Sequence, residues 1–426
     1  MSNNSKVTFK TLNLKPQKFL RVINPDQEYE ATDGILYWST GIYGSKSDNA
    51  WPDFLIDLYT NGASVHQNLV NLKSNLILGN NLQPEVSDQK DILNPFLKKR
   101  NKSEDNLKSV YAKCAKDMAL FNGAVVQVIY NREGDIAEVY HIPMDNFRIG
   151  TPNKYGRSEF GYISKSWGYI SNSIKSNKKE YVKLRLWDPN DWEKYPTQLL
   201  LMKDYGFTQY PVAAYTAGIN WIIVAREISD FHVHNVRSNF FLSGMLTQLK
   251  GSMSDQDIEN ASNEIETFYS GVKGRKVLLA FVDDMANKPQ FETITGAEQD
   301  KLFDVLGQQV YQNIITAHNA SPLLVGVDSK GSDLGGSSNK MNTAVLSFTQ
   351  LVTEPMKQIL LDGFNKILVD VNNLPSAICI TEPLKTEQPL PQPDDLTHNE
   401  RRAWLYGLPE DDTSTNAVNN PNSMPT

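Results

Sequence analysis

The chain has 426 residues, enough for two or three domains that each bury a core. Its 40% apolar and 21% charged content is that of an ordinary globular protein and excludes a fibrous or low-complexity chain. A formal charge of −7, from 42 basic and 49 acidic side chains, argues against tight gripping of DNA, which calls for a basic excess.

Residues 1 to 50 are polar and turn-rich, with bases at Lys6, Lys10, Lys15, Lys18 and Arg21, and read as a poorly ordered arm holding one strand. A helix follows from Ser64 to Leu78, where Val65, Leu69, Leu72 and Leu76 share one face and Gly79 stands just past the end. Ser103 is placed to cap a second helix with Leu107, Val110, Cys114, Met118 and Phe121 inward, stopped by Asn122-Gly123. The period then changes to two. Val125, Val126, Val128 and Tyr130 make a strand, Asn131 to Gly134 a hairpin turn, and Ile136 to Ile142 the return strand, ended by Pro143.

Residues 150 to 215 are aromatic-rich with short strand-like runs, Tyr181 to Trp187 and Leu199 to Met202. A helix is expected from Ile219 to Leu242. A small βαββ module comes next: Met245 to Leu249, a helix capped by Ser254, Lys276 to Val282 and Gln290 to Ile294. The stripe Leu302, Phe303, Leu306, Val310, Ile314 and Ala317 predicts a helix from Ala297 to His318, which Asn319-Ala-Ser-Pro322 ends. A Gly/Ser-rich loop from Gly326 to Asn339 has no apolar periodicity. From Lys340 a helical pattern runs to Ile367 with Pro355 inside it, predicting a kink. Beyond Leu374 prolines crowd and acids outnumber bases eight to three, so Thr381 to Thr426 carries −5 of the −7. That stretch reads as extended or disordered, apart from a short helix near Thr397 to Leu405.

Few residues carry a pattern that points to chemistry. Cys114 and Cys379 have no framework or metal-ligand spacing, and the pattern suits a reducing compartment. No signal-peptide run opens the chain, and no apolar window is long enough to span a membrane. Gly326 and Gly331 have the spacing of a phosphate-binding loop, but Ser332-Asp333 stand where Lys-Ser/Thr is required, and the aspartate would repel phosphate. The histidines are His66, His141, His232, His234, His318 and His398. His232 and His234 are two apart, where a chelating helical pair needs four. Asp283-Asp284 follow a strand, yet turn aspartates are common. Lys98 to Lys102 and the cluster Lys175, Lys178, Lys179, Lys183 and Arg185, interleaved with Trp167, Tyr169, Tyr181 and Trp187, suit nucleic acid. A solvated loop or a subunit interface explains them more simply.

The order of elements resembles the portal (head–tail connector) proteins of tailed bacteriophages. Four pieces carry the resemblance: Gly123 to Tyr130 with the Arg132-Glu-Gly134 turn and His141-Ile-Pro-Met-Asp-Asn-Phe-Arg148; Ile314 to Gly326; the Gly/Ser-rich loop with Asn339 and the helix containing Thr353-Glu-Pro355; and Leu396-Thr-His-Asn-Glu-Arg-Arg402 with Gly407-Leu-Pro409. The resemblance implies an α+β fold with eight parts. They are an N-terminal arm (1–50), an α/β wing domain (51–218), a stem helix (219–244), a βαββ clip (245–296), a second stem helix (297–319), a tunnel loop (320–340), a kinked wing helix (341–373) and a partly disordered C-terminal crown or tail (374–426). It implies a homo-oligomeric ring, in this family typically dodecameric, at one capsid vertex of the virion and assembled in the host cytoplasm. Double-stranded DNA would pass through it during packaging and ejection. The clip would face the large terminase and later the head–tail adaptor, and the ring would sit against the major capsid or scaffold protein. No catalytic residue, cofactor, metal or membrane is implied. The channel-facing residues would be Lys330, Ser332, Asp333, Ser337, Ser338 and Lys340 of the tunnel loop. A second stem helix of about 22 residues spans roughly 33 Å, a suitable channel wall. Two other readings stay open on the residues alone: a metal-dependent DNA-processing enzyme using Asp283 and Asp284, and a capsid-associated head–tail adaptor.

Overall fold

The computed structural model describes residues 8–9, 28–30, 34–39, 49–165, 167, 181–206, 209–237, 245–249, 256, 259–260, 278–282, 297–326 and 337–381. The architecture is mixed α and β. The strands are β1 (Thr8–Phe9), β2 (Glu28–Glu30), β3 (Leu36–Trp38), β4 (Gln83–Pro84), β5 (Gly123–Tyr130), β6 (Ile136–Ile142), β7 (Phe147–Ile149), β8 (Phe160–Ile163), β9 (Val182–Leu186), β10 (Thr197–Lys203), β11 (Met245–Leu249), β12 (Leu278–Val282) and β13 (Ala377–Ile378). The helices are α1 (Trp51–Asn61), α2 (Ser64–Leu78), α3 (Lys90–Lys98), α4 (Leu107–Phe121), α5 (Ile219–Arg237), α6 (Ala297–Ala317), α7 (Ser337–Phe348) and α8 (Glu354–Asn365).

A six-stranded sheet in the order β6-β5-β10-β9-β8-β7 forms the centre. All its pairs are antiparallel except β9 with β10. Its β5–β6 hairpin has Val128 opposite Val139, as the alternating pattern predicts. The turn is held by Asn131, whose Oδ1 accepts from the backbone N–H groups of Glu133 and Asp135, while Gly134 takes φ +94°. Helices α4 and α8 lie on this sheet, and α2 packs on α4 in turn. Leu69, Val70 and Ile77 of α2 are fully buried, each worth about 1.5–3 kcal/mol relative to exposure. Leu72 and Leu76 are only half-buried, so the inward face is turned from the predicted one toward His66 and Lys73.

The cap of α4 is Asn106, not Ser103: its side chain accepts from the Ser109 amide at 2.8 Å. All five predicted inward residues of α4 are buried, and Asn122 closes the helix in the left-handed conformation at φ 62°. Helices α1 and α3 have no counterpart among the predicted elements. Helix α1 buries Trp51, Leu55 and Leu58 at helical spacing. The long helix through Pro355 stays continuous. A π turn, Thr349–Thr353, precedes α8, and Pro355 occupies the first turn of α8, where its missing N–H costs little.

Arg148, on β7, is fully buried and ties the segment before α1 to the sheet. Its Nη1 donates to the Asp145 and Phe147 carbonyls and its Nη2 to the Asn49 carbonyl, at 2.7–2.8 Å. Asn49 Oδ1 also accepts from the Trp38 amide, and Trp38 stacks on Tyr210 at 4.5 Å. At the far end, β13 pairs with β4. Thr381 donates to the Leu76 carbonyl and accepts from Lys357, fixing the chain to the end of α2. A second, three-stranded sheet has the order β1-β12-β11, with β11 and β12 parallel. A parallel pair requires a crossover between its strands; most of the predicted helix between them lies outside the described residues. The third predicted strand, Gln290 to Ile294, and the helix near Thr397 lie outside the described residues.

Candidate functional site

Helices α5 and α6 pack side by side. Ile219 and Ile222 of α5, with Val310, Ile314 and Ile315 of α6, enter the same apolar core as the sheet and its helices. The approach is close: a Cβ on Gly218, at the foot of α5, would stand 2.4 Å from the Ala317 Cβ. Arg226 of α5 reaches Asp57 of α1 at 2.8 Å. The pair is therefore anchored at one end to the main body.

The end of α6 is sharply made. The Ala320 amide donates to the Ile315 carbonyl and the Asn319 amide to that of Thr316, while Asn319 is left-handed at φ 54°. This is a Schellman stop with asparagine in the position usually given to glycine. Pro322–Val325 then makes one 3₁₀ turn, and Gly326, at φ 68°, leads into the glycine-rich loop. The predicted break at Asn319-Ala-Ser-Pro322 is thus present; residues 327–336 of the predicted loop lie outside the described residues, and α7 begins at Ser337 rather than at Lys340.

Beneath that stop lies a buried basic cluster. Of the six histidines, His66 and His318 are fully buried and meet, with His66 Nδ1 and His318 Nε2 3.0 Å apart. One proton between them satisfies both atoms. The outer nitrogens, His66 Nε2 and His318 Nδ1, have no hydrogen-bond partner among the described residues, and nor does the buried Lys73 Nζ. Tyr215 stacks on His318 at 4.9 Å and donates to the Leu120 carbonyl. Burial, and secondarily the charge of Lys73, pushes the His66 imidazole down to about 3 and holds His318 well below its ordinary value. Burial alone lowers the Lys73 ammonium to about 8. Both imidazoles are neutral at pH 7, and nothing acidic among the described residues compensates the lysine. The sequence offered no signal for this pair, because its members are 252 residues apart.

Of the residues the sequence assigns to the channel, Lys330, Ser332 and Asp333 lie outside the described residues. Ser337 and Ser338 open α7, and Lys340 is exposed in its first turn. Lys340 lines an open groove between α7 and the Asn319–Leu323 turn, with Ser321, Ala344, Phe348 and Leu351. Asp283, Asp284 and His398 are outside the described residues, and His232 is exposed on α5. His141 pairs with the partly buried Asp117 at 2.9 Å, and desolvation raises that carboxyl. Among the described residues no group of three or more His, Cys, Asp or Glu side chains could hold a metal. No described helix is long and apolar enough to cross a membrane.

No family model and no curated protein matches this chain. Solved structures do. A chain in the neck of an empty gene transfer agent (GTA) particle, computed with C6 symmetry, is 12% identical over 84% of this chain and 94% of its own, with a TM-score of 0.51. The neck of the native GTA particle, computed with C12 symmetry, gives 12% identity, the same coverage and a TM-score of 0.50. A looser likeness is to an HK97 family phage portal protein from Corynebacterium diphtheriae, 11% identical over 75% of this chain and 92% of that one, with a TM-score of 0.41. This chain has the fold of a chain in a GTA particle neck.

Proposed function

We propose that this chain is the repeating subunit of a portal-type ring at one vertex of a virus-like capsid, through which double-stranded DNA enters and leaves. The observation that carries the reading is the fold likeness to a particle-neck chain across 84% of this chain and 94% of that one. The four motifs in sequence order, which resemble phage portal proteins, support it independently. On this reading residues 51–218 are the wing, α5 and α6 the stem, 245–296 the clip, 320–340 the tunnel loop and 341–373 the kinked helix behind it. The ring is a dodecamer, docks terminase and then an adaptor through the clip, and is held by the capsid or scaffold protein. Its role is structural, without catalysis or cofactor.

The charge distribution suits a conduit. A polyanion slides only where attraction to its phosphates stays small. The glycine-rich loop offers Lys330 and Lys340 against Asp328 and Asp333. On this reading the two lysines touch passing phosphates transiently. Negative-stain images and the native mass of the purified chain test the ring: closed particles of six- or twelvefold symmetry are expected, and a single compact unit at every salt and protein concentration would end the reading. Lys330→Ala and Lys340→Ala should leave ring yield unchanged and alter the amount of DNA packaged or retained in particles. Wild-type packaging and retention in both would remove these lysines from the channel.

A further inference from the structure

Two helices of this chain carry outward surfaces without charge. In a chain that is 21% charged, no Asp, Glu, Lys or Arg occurs from Val305 to Val327 or from Met341 to Thr353. The first run covers most of α6. There Gln308, Gln312 and Thr316 make an exposed stripe at helical spacing, and Tyr311 stands beside it, 41% exposed. The second run covers α7 and its π turn. Here Met341, Leu346 and Leu351 are 38%, 53% and 78% exposed.

Helix α7 also has little support among the described residues of its own chain. It packs on the Pro322–Val325 turn and continues into the π turn, and of its described residues only Phe348 is buried. A helix of 12 residues is marginal in water without a packed face. Helix α6, in contrast, is held by α5 and α2 on its inner side, leaving the uncharged stripe free. The groove beside α7 is open and mostly apolar, walled by Leu323, Ala344, Phe348 and Leu351, with Asn319, Ser321, Thr343, Ser347 and Lys340 among its polar positions.

We propose that these two surfaces are complementary halves of one seam: α7 of one copy, with its groove, receives the α6 stripe and Tyr311 of the next copy. This rests on the ring reading above and names the surface that closes the ring. Interface centres are depleted of charge and enriched in aromatic anchors. A ring that closes needs two different faces on each subunit. The two described helix surfaces without charge are different faces, one mostly apolar with a groove and one polar with a single tyrosine. DNA is a poor occupant of the α7 face, whose one base is Lys340 at its edge.

The test uses the full chain carrying Tyr311→Cys and Leu351→Cys, with the buried Cys114 and Cys379 left in place, joined by a short bismaleimide. The expected result is a ladder of covalent multimers, absent from either single variant. Separately, Leu351→Glu should lower ring yield by ~tenfold, the scale of one central interface side chain. Val369→Glu, an exposed apolar position after α8, should not lower it. Thermal unfolding of each variant shows that it is folded. Rings that form normally without a ladder, or that survive Leu351→Glu, overturn the seam and leave the ring reading intact. A crosslink confined within one chain overturns it as well. A wild-type chain that never assembles overturns both.

Discussion

Lys73 is a buried ammonium without an acceptor among the described residues, beside two imidazoles that burial keeps neutral. Such a group costs several kcal/mol to hold, and a well-packed apolar replacement is often stabilising by 1–4 kcal/mol. Lys73→Met should therefore raise the urea midpoint at pH 7 by an amount equivalent to about 1 kcal/mol or more; a lower midpoint would mean that the ammonium is matched in the folded chain. The histidines give a pH dependence of definite sign. Their folded-state values lie below the unfolded value near 6.5, so the unfolded chain binds more protons. The stability they allow is fully present above about pH 6.5 and is lost as pH falls toward 3, at up to about 1.4 kcal/mol per unit for each histidine. Denaturation at pH 7.5, 6 and 5 should show this decline, and His66→Phe with His318→Phe should flatten it. Gly218→Ala places a methyl 2.4 Å from the Ala317 Cβ and should cost about 1–3 kcal/mol, read in the same titration.

Elements were legible where a single period governs them. Helix α2 begins and ends at the predicted residues, and the β5–β6 hairpin has the predicted turn. Both are cases in which local chemistry and burial agree. Helix α3 was illegible because Pro95 lies inside it and only Leu93 and Leu97 are buried. Helix α1 has Asp53 and Asp57 among its apolar residues, and Asp57 pairs with Arg226, a residue of another helix, as well as with Asn61 of its own. Pro355, read in the sequence as a kink within one long helix, stands in the first turn of α8, directly after a π turn that widens the register. Pro355→Ala should therefore change the unfolding midpoint by less than about 1 kcal/mol, against the ~3 kcal/mol expected of an interior helical proline. A large stabilisation would show that the proline strains the helix.

For the molecule as a whole, the order of parts was readable and their meeting points were not. The loop and its two flanking helices follow from glycine, proline and periodicity. The buried cluster under the Schellman stop depends on residues brought together from α2, the turn before α5 and the end of α6. Arg148 lies between: the sequence marks it as part of a motif, and the fold shows why, since its guanidinium gathers the carbonyls that fix Asn49 to the sheet. The distribution of charge also belongs to this scale, since five of the seven excess negative charges follow Thr381.

The attachment of residues 376–381 sets where the polypeptide can be shortened. The Ser376 and Ile380 carbonyls accept from the Glu85 and Asn80 amides, the Ile380 amide donates to Asn80 Oδ1, and Thr381 makes the last tie among the described residues. A stop codon placed after Thr381 should yield a product that melts like its parent and migrates as a much less acidic species. One placed before Ala377 would strip β4 of its only strand partner among the described residues and leave the Asn365 side chain without its two bonds to the Ala377 backbone. Between those two codons lies the shortest version of this protein suited to crystallisation.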